Sequence, residues 1–509
     1  MDAILAAVTV HQRKQVLDRM ANGLGLHDAY KTTLNRIRQQ DEIRSKLGMD
    51  ALMWLSRCKR PLQPEELRHA LGVELGTEDF SIDNIPSIKA ILGCTLGLVT
   101  IDEKASMIRL LHLTLQEYLG GHPTLFVTAR SMMAEICLTY LNYRSVRKLH
   151  PDLDKAQVIP PFLEYATCFW GTHGGREVNE PVKSLSLRLL GGYEKHVSAA
   201  ILWRKKLRGL HFGEDVHGIS GLHCIAFWGI GEIAITMLEK RRWDVNGRDS
   251  RGDTPLMWAV RYGNNRVVEL LLEQGDIRPD IVIRDGRTVF SFAAESGSEG
   301  AVKLFLLRKD VNPNALDDDG RTPLSYATSR GHKGIVELLL CRRDLNPNLS
   351  DDNGRTPLLD AASRGCESVV ELLLGRGDVN PNLSDDIGRT PLLDATWRGH
   401  EGVVNLLLSR GDVNPDISDS KGQTPLSCAA SRGYEGIVKL LLGRGDVNLN
   451  SFDSDGRSPL SYAAAGRHKS VVMLLVESWS VGLCSSDSDG LTPLSYAAQW
   501  GREDIVKLF

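Results

Sequence analysis

The sequence has no apolar run of the roughly 18 residues that a membrane-crossing helix requires, so no such span is expected. It has almost no excess charge, with 61 basic against 64 acidic residues and a net −3. That balance excludes a global pull towards nucleic acid or an anionic membrane. Its nine cysteines contain no Cys-x-x-Cys pair. An odd, scattered set in a long chain reads as reduced thiols, hence a cytoplasmic protein with the nucleus as second choice. The apolar opening Met1–Val10 lacks a basic leader and reads as helix, not signal peptide. No Gly-x-Ser-x-Gly elbow is present. Asp453-Ser-Asp-Gly456 opens like a calcium loop, but Tyr462 stands where the bidentate Glu belongs. The chain therefore reads as a non-enzyme with no catalytic set, cofactor or metal.

What is present is repetition. Asp317-Asp-Asp-Gly-Arg-Thr-Pro-Leu324 returns as Asp351-Asp-Asn-Gly-Arg-Thr-Pro-Leu358 and as Asp385-Asp-Ile-Gly-Arg-Thr-Pro-Leu392. Thr254, Thr288, Thr322, Thr356, Thr390, Thr424, Ser458 and Thr492 are each 34 residues apart, and Ser220 opens a degenerate earlier copy. That makes about nine units over 216–509, a stacked-repeat signature. Each place has a reason. Asp-x-x-Gly makes a tight turn. Thr caps the next helix and Pro suits its first turn. Glycines such as Gly331, Gly365 and Gly399 stop that helix. Ile335–Leu340 and its copies form an outer helix.

Turn, helix, helix at this period resembles the ankyrin repeat. Two departures stand out. The copies carry one residue more than the usual 33, placed in the loops near Pro347 and Pro381. Thr-Pro-Leu is followed by Ser or Leu instead of His, so the His bonds between turns are missing from most copies. The last copy stops at Phe509, part-way through its outer helix, which reads as a cut end with an exposed apolar face.

The chain ahead of the array reads as three further pieces. Residues 1–46 are helical, with Tyr30, Leu34 and Ile37 on one face and breaks at Gly23 and Gly25. Residues 47–122 give helices at Met49–Arg57, Glu65–Leu71 and Pro86–Leu96, then strands at Gly97–Ile101 and Met107–Leu111, the order of a winged helix. Its third helix holds a single Lys, which does not suit base reading, so nucleic acid is not the expected partner. Residues 123–215 form a helical connector whose aromatic run Phe162, Tyr165, Phe169 and Trp170 reads as core. The fold class is thus mainly α: a winged-helix-like domain, a connector and an ankyrin-type solenoid.

Arg60-Pro-Leu-x-x-x-Glu-Leu67, Gly97-Leu-Val and Leu111-His-Leu-Thr-Leu-Gln-Glu-Tyr-Leu119 resemble the winged-helix segment of NACHT-type switch ATPases. These are the NLR-like proteins, here of the filamentous-fungal branch that ends in ankyrin repeats. The resemblance implies a signalling or self/non-self recognition role, and a phosphate-sensing role for His112. It also implies that 1–46 is the remnant of an upstream NACHT module. The family's Gly-x-x-x-x-Gly-Lys-Ser/Thr loop occurs nowhere in this chain, so His112 has no nucleotide to sense within it.

Function is then expected on the concave face of the array, where places can vary without harming the stack. The candidate partner-binding residues are Tyr262, Arg321, Arg330, Arg355, Arg364, Arg389, Trp397, Arg398, Arg432 and Trp500. The arginines at 330, 364, 398 and 432 make a stripe, and Trp and Arg dominate binding hot spots. Arg376-Gly-Asp378, an adhesion tripeptide by spelling, falls at an outer-helix end. Its arginine suits the helix's negative pole.

Overall fold

The computed structural model describes residues 24–150, 159–175, 178–207, 218–240, 242–478, 481–499, 501 and 503–509. The helix expected over the first twenty residues, Gly23 and Trp500 lie outside them. The chain divides into two compact units, Met1–Leu270 and Leu271–Phe509.

In the first unit, Leu24–Arg38 is a helix that buries Tyr30, Leu34 and Ile37 as their spacing implies. Gly25, expected to break it, lies in its first turn, where a missing Cβ costs little because the backbone bonds there are incomplete anyway. The next helix, Glu42–Arg57, begins seven residues ahead of the expected Met49. Asp41 caps it by accepting from Arg44 N. Ala51 to Leu55 are buried in succession, with Trp54 set edge-on to Phe162 and Tyr165 at 5.5 and 5.8 Å. The aromatic run is core at Phe162, Tyr165 and Trp170. Helices Pro64–Leu71 and Ile88–Cys94 follow, and then strands Val99–Asp102 and Met107–Leu110 pair antiparallel with Val99 opposite Leu110. Helices of the repeat pattern close this unit: Gly221–Trp228 with Gly231–Glu239, then Pro255–Arg261 and most of Asn265–Leu272, whose last two residues fall in the second unit.

The second unit is a run of short helix pairs. Its central inner helices are Pro323–Arg330, Pro357–Ser363, Pro391–Arg398 and Pro425–Arg432. The matching outer helices are Lys333–Leu340, Glu367–Leu374, Glu401–Leu408 and Glu435–Leu442. Each inner helix starts at its capping Thr; Thr356 Oγ1 accepts from Leu359 N at 3.3 Å. Each outer helix buries one stripe, such as Val369, Val370 and Leu373. Eight-residue helices are marginal alone, so the stripes are stable only stacked on their neighbours.

Between the pairs stand the turn fingers. Asp351 Oδ1 accepts from the backbone of Asn353 and Arg355, and Asp386 N donates to Asn353 O of the preceding finger. Gly354 takes φ +76, and a Cβ there would sit 2.9 Å from Asp386 N, so only glycine serves.

The loops around Pro347 and Pro381, expected to hold the additional residue, form an asparagine ladder. Asn348 donates to Asp378 O at 2.7 Å and accepts from Asn380 N at 2.8 Å; Asn382 does the same to Asp412 O and Asn414 N. Beside it, Arg376 grips both Asp378 oxygens at 2.8 and 2.6 Å. Its Nη1 donates to Leu340 O and Arg342 O at 2.9 and 3.2 Å. The helix end it caps is therefore the preceding copy's, not its own.

Candidate functional site

The inner helix Pro391–Arg398 carries Trp397 in its last turn, with 40% of its surface exposed. Three guanidinium groups surround the ring, Arg432 at 4.1 Å from its centroid, Arg389 at 5.6 Å and Arg398 at 5.9 Å. Arg389 comes from the finger, Arg398 from the same helix and Arg432 from the next copy's inner helix.

Asp394 organises two of them. It is wholly buried, with Oδ1 3.4 Å from Arg389 Nη1 and Oδ2 3.3 Å from Arg398 Nε. A buried carboxylate needs such partners. Other copies place tyrosine here: the hydroxyls of Tyr326, Tyr462 and Tyr496 donate to the finger aspartates Asp317, Asp453 and Asp487, while the copy after Asp394 holds Cys428. Only the copies at Thr356 and Thr390 use aspartate. Asp360 takes Arg355 Nε at 2.9 Å; burial pushes its acid up and Arg355 pulls it back. Sequence reasoning missed both, although the change from Thr-Pro-Leu-Ser-Tyr to Thr-Pro-Leu-Leu-Asp marks them.

The expected stripe is uneven. Arg330 is held by Glu295 at 2.7 Å. Arg355 is held by Asp360, and Arg321 lies 3.8 Å from Asp351. Arg364 and Arg432 are exposed and pair with no carboxylate among the described residues. Tyr262 belongs to the first unit and is half-buried, set edge-on to Phe227 at 4.7 Å. Histidine bonds between copies do exist at another place: His332, His400 and His468 bridge to Glu295 O, Ser363 O and Ser431 O.

His112 caps the helix Leu113–Gly121, its Nδ1 accepting from Thr114 N at 3.3 Å. It lines a cleft of about 510 Å³ with Lys59, Arg60 and Arg109. Arg60 is spent on Glu66 and Arg109 lies 3.2 Å from Asp102. Among the described residues no three His, Cys, Asp or Glu side chains are placed to hold a metal, and no helix is long and apolar enough to cross a membrane.

A family model described as ankyrin repeats (3 copies) matches residues 199–285, 276–351, 343–419, 361–453, 411–483 and 446–509. Among solved structures, the chain is similar to the ankyrin repeat domain of Bcl-3, described as a unique member of the IkappaB protein family. The identity is 25% over 44% of this chain and 99% of that one, with a TM-score of 0.40. It is also similar to EF0377, an ankyrin repeat protein, with 26% identity, 36% and 94% coverage and a TM-score of 0.35. No curated protein matches the chain.

Proposed function

Since the chain belongs to the ankyrin-repeat family over 199–509, we propose that it is a non-enzymatic scaffold binding partner proteins through the array's concave face, centred on Trp397. A reducing compartment, cytoplasm or nucleus, is part of the same proposal. The observation that carries it is the exposed Trp397 at a place where the flanking copies hold Ser363 and Ser431. Stacking is served by serine there, so the indole has no stacking duty. Exposed Trp beside Arg is the composition of a binding hot spot.

A photo-cross-linking residue tests this when placed at Ser431, half-buried on an inner helix, or at Lys439, exposed on an outer one. Adducts with a partner protein are expected from the first position alone and should vanish when Trp397 is also replaced. Equal adducts from both positions would sink the reading.

A second reading is the regulatory part of an NLR-like NACHT switch. It draws support from the helix, helix, helix, hairpin order of Glu42–Leu110 and from His112 beside a cleft with Lys59. Nucleotide-dependent binding of this chain to a separate NACHT module, weakened by His112→Ala, is the expected result. Binding indifferent to nucleotide would reject it.

A further inference from the structure

Resting on the concave-face reading, we propose that the partner segment seated at Trp397 is an acidic peptide carrying an apolar anchor. Three observations converge on the copy that begins at Asp385.

The first is apolar. Among the copies from Thr254 to Thr492, this one alone has a large apolar residue at the third finger place and an aromatic at the penultimate inner-helix place. The finger place is Ile387 here and Asp319, Asn353, Lys421 or Asp455 in its neighbours. Both side chains stay out of the core, Ile387 at 45% and Trp397 at 40% exposure. An exposed aliphatic and an exposed indole in one copy offer an anchor point.

The second is charge. Among the described residues, Asp394 is the one carboxylate paired with any of Arg364, Arg389, Arg398 and Arg432, and it takes only Arg389 and Arg398. The outward finger acids Asp318, Asp352 and Asp386 give way at the next finger to Ser420 and Lys421. The acidic row ends at Asp386, in the finger of the Trp397 copy, and does not continue into the copy that supplies Arg432.

The third is geometry. A guanidinium laid over an indole uses its face and keeps its N–H edges for a planar anion. Arg432, 4.1 Å from the Trp397 centroid, is so placed, and bidentate carboxylate pairing is what such a fork recognises. Asp394 acts as a positioning residue, fixing Arg389 and Arg398 at 5.6 and 5.9 Å from the ring centroid. Nucleic acid also offers anions and stacking faces. It needs a continuous basic track, however, and Asp352 and Asp386 interrupt one here.

The test uses the full chain and a fluorescein-labelled peptide of alternating Glu-Leu-Glu-Phe segments, read by polarisation. The controls are the same peptide with every Glu replaced by Gln and a single-stranded RNA. The Glu peptide is expected to bind. Its affinity should fall at least ~10-fold in the Gln peptide, in the Arg398→Gln/Arg432→Gln protein and on raising salt, as for pairing of solvent-exposed charges. Asp394→Tyr restores the tyrosine of other copies and should keep the melting temperature while weakening the Glu peptide and flattening its salt dependence. Binding of the Gln peptide as tight as the Glu peptide overturns the acidic assignment, yet leaves the concave-face reading standing if Trp397→Ser still weakens it. RNA displacing the Glu peptide overturns it in favour of a nucleic-acid site. No binding of any peptide overturns it as well, and the cross-linking comparison then decides the broader reading by itself.

Discussion

Arg376→Ala is expected to lower the unfolding free energy by about 2 kcal/mol, the range for charge-assisted hydrogen bonds. The guanidinium is 19% exposed and has no spare geometry. Nε and Nη2 hold Asp378, while Nη1 reaches Leu340 O and Arg342 O at the end of the preceding outer helix. Those carbonyls have no partner within their own helix, and a cation there also meets the helix's negative pole. The same clip recurs at Arg308, Arg342, Arg410 and Arg444. Each clip thus ties one copy to the one before it. In a stack whose stability is a sum over copies and interfaces, removing one should broaden the urea transition as well as shift it. Arg376→Lys should not rescue it, since one ammonium cannot span two carbonyls and a bidentate acid. A loss below about 0.5 kcal/mol would mark the clip as an ordinary surface pair. The clip also sets an acid response. The guanidinium hydrogen bond holds Asp378 below the ordinary aspartate value of 3.8, as it does Asp310, Asp344, Asp412 and Asp446. A depressed folded pKa gives stability that is complete above the ordinary value and lost as pH falls through the folded one. Wild type and Arg376→Ala should therefore converge as pH drops below about 3.8. Within the Arg-Gly-Asp spelling, Arg376 and Asp378 are thus paired with each other.

The array was legible because its chemistry is local. A tight turn needs Asp and Gly, a cap needs Thr, and a helix stop needs Gly, so all three recur at fixed spacing. Where locality fails, reading fails. The glycine at the helix stop slips one place at Gly466, and Arg467 takes the left-handed φ of +65 instead. Helix Glu42–Arg57 starts ahead of the expected Met49, and Gly48 inside it packs into the first unit where a Cβ would meet Cys94 O at 2.7 Å. Trp397 was visible as a departure from the repeat, and Arg398 and Arg432 as members of the 34-spaced arginine stripe. Asp394 was not, since an aspartate after Thr-Pro-Leu-Leu reads as a surface substitution until its two arginines are seen around it. The pairing of Arg330 with Glu295 spans 35 residues, one period and one place, and shows only when neighbouring copies are compared side by side. The histidine bridges at His332, His400 and His468 hide for the same reason. Each partner is a backbone carbonyl 37 residues earlier, which no side-chain pattern announces.

Trp397→Ser is expected to weaken partner binding by about 2 kcal/mol or more, roughly 30-fold, as hot-spot truncations do, while the fold is nearly untouched. Two magnitudes separate the outcomes. A core tryptophan removed from a packed interior costs about 3–5 kcal/mol; Trp54, fully buried among Phe162, Tyr165 and His173, is the internal standard. Trp397 is 40% exposed, and its nearest described attraction is the Arg432 stack. An exposed cation–π contact is worth about 0.5–1 kcal/mol. Serine is the residue that adjacent copies already carry at this place, as Ser329, Ser363 and Ser431. The stack thus has a solution for serine, and the loss should stay near the cation–π value. Urea unfolding of Trp397→Ser and Trp54→Ala side by side, with partner or peptide affinity measured on the folded variants, gives both numbers. A Trp397→Ser loss as large as that of Trp54→Ala would make the ring part of the core and end its assignment as a binding residue. If stability and affinity both stay within about 0.5 kcal/mol of wild type, as for an ordinary surface substitution, the concave face is not read through this ring. The indole is worth keeping exposed only if something covers it, and the affinity of the folded variant measures that cover directly.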